Sequence, residues 1–326
     1  MFYRVISLLL LLSCFGLLTA CGQSSSPAAG PQPGATPTVA RDFYGMPIAF
    51  PTTPPRRIIS LLPNTSEMLG ALQLQERVVA VDYYTTYPAD LASLPKVSGS
   101  NGKYNIEQIV ALKPDLLLSY GGETKEYDQQ LENLGLHVVD LPLSDLSQTL
   151  QEILLVGRLT FTENTARTLV NQLQQRIEQI KTAVAGTTAP RVLLEVDDSA
   201  PGKPYVFGGG SFGDELLQDA HGINIFHDNA SNGGYPQVTD EAIISANPQF
   251  VILTEDPAFG GDPALVYKRP NWGGIAALTL HQVYRINVNI IQHPSQRLVD
   301  GLRCLAQIIH PDKFPGTLPS YCSGTV

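Results

Sequence analysis

One short pattern occurs twice in this chain and limits what it can fold into. The first copy runs Glu107-Gln108-Ile109-Val110-Ala111-Leu112-Lys113-Pro114 and continues Asp115-Leu116-Leu117-Leu118. The second runs Glu241-Ala242-Ile243-Ile244-Ser245-Ala246-Asn247-Pro248 and continues Gln249-Phe250-Val251-Ile252. Glu, Ile and Pro fall at the same offsets in both. Each Glu stands two places after a residue suited to capping a helix N-terminus, Asn105 or Thr239. Each Pro ends its helix, because the residue before a proline is disfavoured in the α region. Three apolar residues then supply a strand. One supersecondary unit used twice predicts two lobes of similar build.

The surrounding sequence alternates in the same way. Strands are expected at 57–62, 77–82, 115–119 and 136–141, with helices at about 65–74, 106–112 and 124–134. A second series has strands at 191–196, 250–254 and 282–286, and helices at 213–220, 240–246 and 295–309. Strand–helix alternation implies parallel sheets covered by helices. Between the series, 146–185 carries no strand signal. In its second part Ala166, Leu169, Val170, Leu173, Ile177 and Ile180 recur at helical spacing, with Thr160 and Glu163 as a candidate capping box and Gly186 as a stop. Such a helix spans roughly 34 Å, enough to cross from one lobe to the other. The fold class is therefore α/β: two Rossmann-like lobes with mostly parallel sheets joined by one long connecting helix. A chain of 326 residues has room for both lobes.

The N-terminus carries one positive charge, Arg4, and then an apolar run from Val5 to Leu18. That is the pattern of a secretory signal, and the run is short for a spanning helix. It ends in Leu18-Thr19-Ala20-Cys21, which resembles the lipobox of bacterial lipoproteins, with Cys21 as the lipid attachment site. An ordinary signal peptide or an uncleaved anchor is the alternative. The Ser-, Pro- and Gly-rich stretch after Cys21 reads as a tether. Cys14 lies in the signal run, which leaves Cys304 and Cys322 either bridged or as two separate thiols.

Lys plus Arg number 21 against 30 Asp plus Glu, a net charge of -9. An acidic surface repels phosphate backbones, so nucleic acid is not an expected partner. The segment Gly208-Gly209-Gly210-Ser211-Phe212-Gly213 matches the dinucleotide fingerprint literally, but only three apolar residues precede it, and it reads as a flexible turn. His221 and His227 fit no usual ligand spacing, so no protein-held metal is expected. Glu195, Asp197 and Asp198 read as a solvated loop. No catalytic Ser-His-Asp set or second glycosidase carboxylate is identifiable, so the chain is not expected to be an enzyme; a secreted α/β enzyme is the alternative from another class.

The stretch Ile58-Ile59-Ser60-Leu61-Leu62-Pro63-Asn64-Thr65-Ser66-Glu67 resembles the opening strand and turn of the cobalamin and ferric-siderophore class of ABC-transporter substrate-binding proteins. Asn105-Ile106-Glu107 through Pro114-Asp115, Gly210-Ser211-Phe212, Gly222-Ile223-Asn224, Trp272 with Ala276-Ala277, Val283-Tyr284, Arg297 and His310-Pro311 continue the resemblance in order. It covers about residues 56–315 and implies two α/β lobes with ligand held in the cleft between them.

The resemblance also assigns site residues. Tyr84 aligns with an aromatic that contacts ligand in the cobalamin branch, and Tyr83 stands beside it, both directly after a predicted strand, where open sheets bind ligands. Covering the sheet edge is the alternative for these two. Tyr235 falls where that branch has a cleft Trp, though it also suits a turn. Arg297 matches the Arg of a late family loop; pairing with Asp300 is its structural alternative. The family often has an acidic residue and a Trp upstream, where this chain has Asn289 and Ile290. Glu107 and Glu241 match the pair that docks on Arg residues of the permease, and each also complements its own helix N-terminus.

The resulting expectation is an extracytoplasmic, monomeric binding protein, lipid-anchored to the outer face of the cell membrane. It captures a corrinoid and delivers it to an ABC permease and its ATPase. A ferric siderophore or haem is the alternative ligand. The segments are 1–20 signal, 21–54 lipidated Cys and tether, 55–145 first lobe, 146–186 connector and 187–326 second lobe.

Overall fold

Four short apolar runs of the first series are buried along their whole length or nearly so, as parallel strands covered on both faces must be. In the computed structural model, which describes residues 40–142, 145–255 and 260–323, they are β1 (Ile58–Ser60), β2 (Val78–Ala80), β3 (Leu116–Tyr120) and β4 (Val138–Leu141). All pair in parallel in the order β2-β1-β3-β4, with Ile58 opposite both Val78 and Leu116. Helices α1 (Pro63–Ala71), α2 (Ala89–Ala92), α3 (Ile106–Ala111) and α4 (Lys125–Asn133) belong to this lobe. The signal segment, Cys14, Cys21 and most of the tether lie outside the described residues. The tether was expected to reach residue 54, but Ala40 onward is docked structure: Arg41 bridges Pro47, and Phe43 N–H bonds Asp140 O at 2.8 Å.

Two helices, α5 (Leu146–Thr160) and α6 (Glu163–Val184), form the connector. The start of α5 meets the second lobe, where Leu146 N–H donates to Glu215 at 2.6 Å, and its end meets the first, where Arg77 donates to Thr160 O at 2.8 Å. Helix α6 returns, and Lys181 pairs with Asp219 at 2.5 Å. The connector is thus doubled, with the long helix as one of two antiparallel spans. Gly157 makes this possible: a Cβ there would lie 2.5 Å from that of Ala166. The capping box sits at Asp145 and Gln148, not at Thr160 and Glu163; Thr160 instead ends α5, its hydroxyl donating to Val156 O.

The second sheet contains β5 (Arg191–Asp197), β6 (Tyr205–Val206), β7 (Ile223–Asn224), β8 (Phe250–Leu253) and β9 (Val283–Arg285). Its order is β6-β5-β8-β9, with β7 also on β5, and only β6 is antiparallel. Around it lie α7 (Phe212–Asp219), α8 (Ser231–Gly234), α9 (Asp240–Ala246), α10 (Pro263–Val266), α11 (Ala276–Thr279), α12 (Val288–Ile291), α13 (Leu298–Ile309) and α14 (Ser320–Ser323). A disulfide joins Cys304 on α13 to Cys322 on α14. No helix among the described residues is long and apolar enough to cross a membrane.

The internal repeat extends further than its sequence suggests. Asn105 and Thr239 both cap their helices, accepting from Gln108 N–H and Ala242 N–H. Arg57 donates to Leu112 O at the end of α3, and Arg191 donates to Ala246 O at the end of α9, each at 2.7 Å. The backbone N–H groups of Arg57 and Arg191 bond the side chains of Asp115 and Gln249, directly after the two prolines.

Under the N-terminal strap lies a buried pair of carboxyls. Asp128 accepts from Ser119 at 3.0 Å and Thr124 at 2.8 Å, and the Tyr44 hydroxyl reaches it at 3.4 Å. Burial, reinforced by Asp128, pushes Asp140 from its ordinary 3.8 up to about 7. The folded pair holds a proton that the unfolded chain has released, so this pair destabilises the fold as pH rises across that window. Asp140→Asn keeps a neutral donor toward Asp128. Its thermal midpoint relative to the parent should therefore rise between pH 5 and pH 8; a difference that stays flat with pH would count against the shared proton.

Candidate functional site

Strand ends place the site. The turn after β1 is fixed by hydroxyls: Ser60 and Thr65 lie 2.6 Å apart, and Ser66 donates to Ser60 at 2.7 Å. Pro63 at the first turn of α1 suits a position with no helical N–H partner. This turn presents Leu62, Pro63 and Asn64 to a cavity of about 540 Å³, with Tyr84, Tyr120, Glu123, Asn289, Gln292 and His293 also on its walls. An adjoining cavity of about 430 Å³ shares Tyr120, Glu123, Gln292 and Pro294 and adds Asp145, Gln148, Phe212 and Tyr235. Residues from both lobes thus line one cleft.

The predicted site residues fall unequally around it. Tyr84 follows β2 and stays half-exposed, its backbone N–H held by Asp82 at 2.7 Å. Tyr83 packs edge-on against it at 5.2 Å but is not on either cavity wall. Tyr235 stands against Phe207 and Phe212, and burial pushes its hydroxyl pKa upward. Asn289 lines the cleft, whereas Ile290 is fully buried in the core. Glu107 and Glu241 are exposed at the first turns of α3 and α9, away from the cavities; the helix-start N–H of Glu241 and the Thr239 side chain lower the Glu241 pKa.

Arg297 is buried and does not reach the cavities. Nor does it pair with Asp300, which instead meets Arg176 at 2.5 Å. Its Nη1 lies 3.0 Å from Oε1 of Glu67 on α1, and its guanidinium lies over the Tyr87 ring at 4.3 Å. Glu67 also accepts from Ser295, and His293 Nδ1 lies 3.3 Å from it. One buried carboxylate of the first lobe therefore binds three side chains of the second beside the cleft. Glu67 closes the motif at Ile58–Glu67, yet nothing local in the sequence announces a partner 230 positions away.

Two further expectations are corrected. Glu195 is fully buried, and Arg269 clamps it with two nitrogens at 2.6 and 2.7 Å while also pairing with Asp198. Burial and the neighbouring Glu195 push Glu255 up to about 9. The glycine-rich turn is pinned: Gly208 N–H bonds Gly234 O, Gly209 N–H bonds Asn229 O, and a Cβ at Gly209 would lie 1.9 Å from His227 O. Because β6 runs antiparallel, the turn does not belong to a parallel βαβ crossover. Among the described residues no three His, Cys, Asp or Glu side chains gather to hold a metal ion.

Two α/β lobes with mostly parallel sheets, a helical connector and a cleft lined from both sides define a two-lobed solute-binding protein. The family profile described as periplasmic binding protein matches residues 58–289, and the chain belongs to that family. It is 30% identical over 267 residues to the uncharacterized ABC transporter substrate-binding lipoprotein YvrC of Bacillus subtilis, covering 80% of this chain and 82% of that one. It is 26% identical over 251 residues to the vitamin B12-binding protein of Vibrio cholerae, covering 76% and 87%. The crystal structure of a periplasmic heme-binding protein from Pseudomonas aeruginosa matches with a TM-score of 0.70 at 26% identity, over 81% of this chain and 96% of that one.

The Glu67 knot generates a prediction. Glu67→Ala leaves Arg297 buried without its carboxylate and should cost about 3–5 kcal/mol of unfolding free energy. Glu67→Met combined with Arg297→Met should recover much of that loss. Denaturant titration of the three proteins checks both, and a near-zero cost for Glu67→Ala would contradict the assignment.

Proposed function

We propose that the protein is the extracytoplasmic substrate-binding component of an ABC importer and that it captures a corrinoid in the interlobe cleft. The observation that carries the ligand class is the charge of the walls. Among the described residues lining the two cavities there is no Lys or Arg. Tyr84, Tyr120, Phe212 and Tyr235 offer ring surface; Asn64, Gln148, Asn289 and Gln292 offer amides; Glu123 and Asp145 add negative charge. Asn64 Nδ2 has no hydrogen-bond partner among the described residues. A macrocycle fringed with neutral amides suits such walls. Haem carboxylates and anionic ferric siderophores call for a Lys or Arg, which the described lining residues lack.

Tyr84 from the first lobe and Tyr235 from the second contact opposite sides of the ligand in this reading. Tyr83 supports the Tyr84 ring, and Arg297 acts on the site through Glu67. The protein performs no chemistry on its ligand, works as a monomer and is held at the outer face of the membrane by lipid on Cys21. Calorimetric titration should give one-to-one binding of cobinamide or cobalamin at micromolar affinity or tighter, without comparable binding of haem. Tyr84→Ala and Tyr235→Ala should each weaken it by about 5- to 150-fold. Preference for haem would reverse the ligand assignment.

Glu107 and Glu241 dock on the permease in this proposal. Two equivalent anions on a pseudo-twofold surface suit a twofold partner that carries cations. The double variant Glu107→Ala with Glu241→Ala should keep ligand affinity within about twofold and lose most uptake in reconstituted vesicles. Unimpaired uptake would remove this role.

A further inference from the structure

Within the cleft one side chain is built to do more than shape the walls. His293 lies on the wall of the larger cavity, between α12 and α13, and its side chain keeps 23% of its surface exposed. Nδ1 faces Glu67 Oε1 at 3.3 Å, and the Glu67 side chain is only 2% exposed. Glu67 is itself fixed by Ser295 and Arg297, so the imidazole hangs from a rigid anchor. Holding a ring through Nδ1–H leaves the Nε2 lone pair on its opposite edge. Among the described residues no hydrogen bond is made through Nε2. A carboxylate behind a histidine is the arrangement that fixes the tautomer and orients an imidazole for a metal.

Competing donors in the cleft are weak. Among the described lining residues there is no Cys, Met or Lys, and His293 is the one histidine. Burial keeps the Tyr235 hydroxyl protonated, and Tyr84 donates its own to Ser100 O. Glu123 and Asp145 are carboxylates, ligands suited to hard cations, whereas imidazole suits transition metals.

We infer that His293 Nε2 coordinates the metal of the bound chelate, so that the cleft selects corrinoids with an exchangeable axial position. The Nε2 lone pair replaces a water on the metal. The water leaves, the proton stays on Nδ1 toward Glu67, and no electron is transferred. This inference rests on the corrinoid reading above but goes beyond it, because shape and amide contacts alone would accept a corrinoid with both axial positions blocked.

The test uses the purified full-length protein and two probes, diaquocobinamide and dicyanocobinamide. The parent should shift the visible spectrum of diaquocobinamide on binding and prefer it over the dicyano form by about tenfold or more. His293→Asn retains a donor for Glu67 but not the ligating nitrogen. It should lose the spectral shift and bind the two forms alike. Binding of diaquocobinamide by the parent with the spectrum of the free probe would overturn the inference while leaving the corrinoid reading intact. An undiminished shift in His293→Asn would overturn it as well. Failure of both forms to bind the parent would defeat the corrinoid reading, and the inference with it.

Discussion

The arrangement of the cleft depends on the carboxylate of Glu67. It belongs to α1, the first helix of the first lobe, and it is bound by groups on the 293–297 segment of the second. Burying a charge is costly unless it is paired and its remaining lone pairs are filled. Here Arg297 supplies the charge, and Ser295 and His293 occupy further acceptor sites. The bonds are directional, so they set where the two lobes stand as well as how firmly. Through His293 and Pro294 the same segment supplies cleft wall. Lobe placement and wall placement are therefore one problem with one solution.

Each lobe also holds an acid whose pKa burial raises, Asp140 in the first and Glu255 in the second, close to its cleft-facing loops. Asp140 and Asp128 sit beneath the loop that carries Tyr120 and Glu123, and Glu255 and Glu195 sit beside Thr254, whose backbone carbonyl accepts from Gln292 at 3.0 Å. A neutral carboxylic acid both donates and accepts, so it can fix two loops without an unbalanced charge under the ligand.

Much of this was legible in the sequence where the signal is local. Asn105 and Thr239 cap their helices because a side-chain oxygen three residues before a free N–H is a local fact. Prolines 114 and 248 end the repeated helices for an equally local reason, and the residues before them, Lys113 and Asn247, adopt positive φ. Tyr84 and Tyr235 reach the cleft because strand-end and glycine-turn positions face it. Long-range pairing was not legible. Arg297 chose Glu67 over the nearby Asp300, and Glu195 found Arg269 and left solvent, because tertiary packing brought the partners together. Strands β6 and β7, at two residues each, are too short to carry a periodicity. The capping box at Asp145 is not distinguishable by spacing from Thr160 and Glu163, which offer the same interval at the wrong joint.

The doubled connector has a mechanical consequence. A single helix bends as a rod, whereas two antiparallel helices in contact along their length resist bending as a beam, since flexing one must slide it past the other. Gly157 lets the two backbones approach closely beside their turn, where a Cβ would lie 2.5 Å from that of Ala166. A doubled connector of this kind favours small tilts of the lobes over wide opening and closing. A cleft held by a stiff connector loses little binding free energy to closure, because few degrees of freedom remain to be ordered when it is filled.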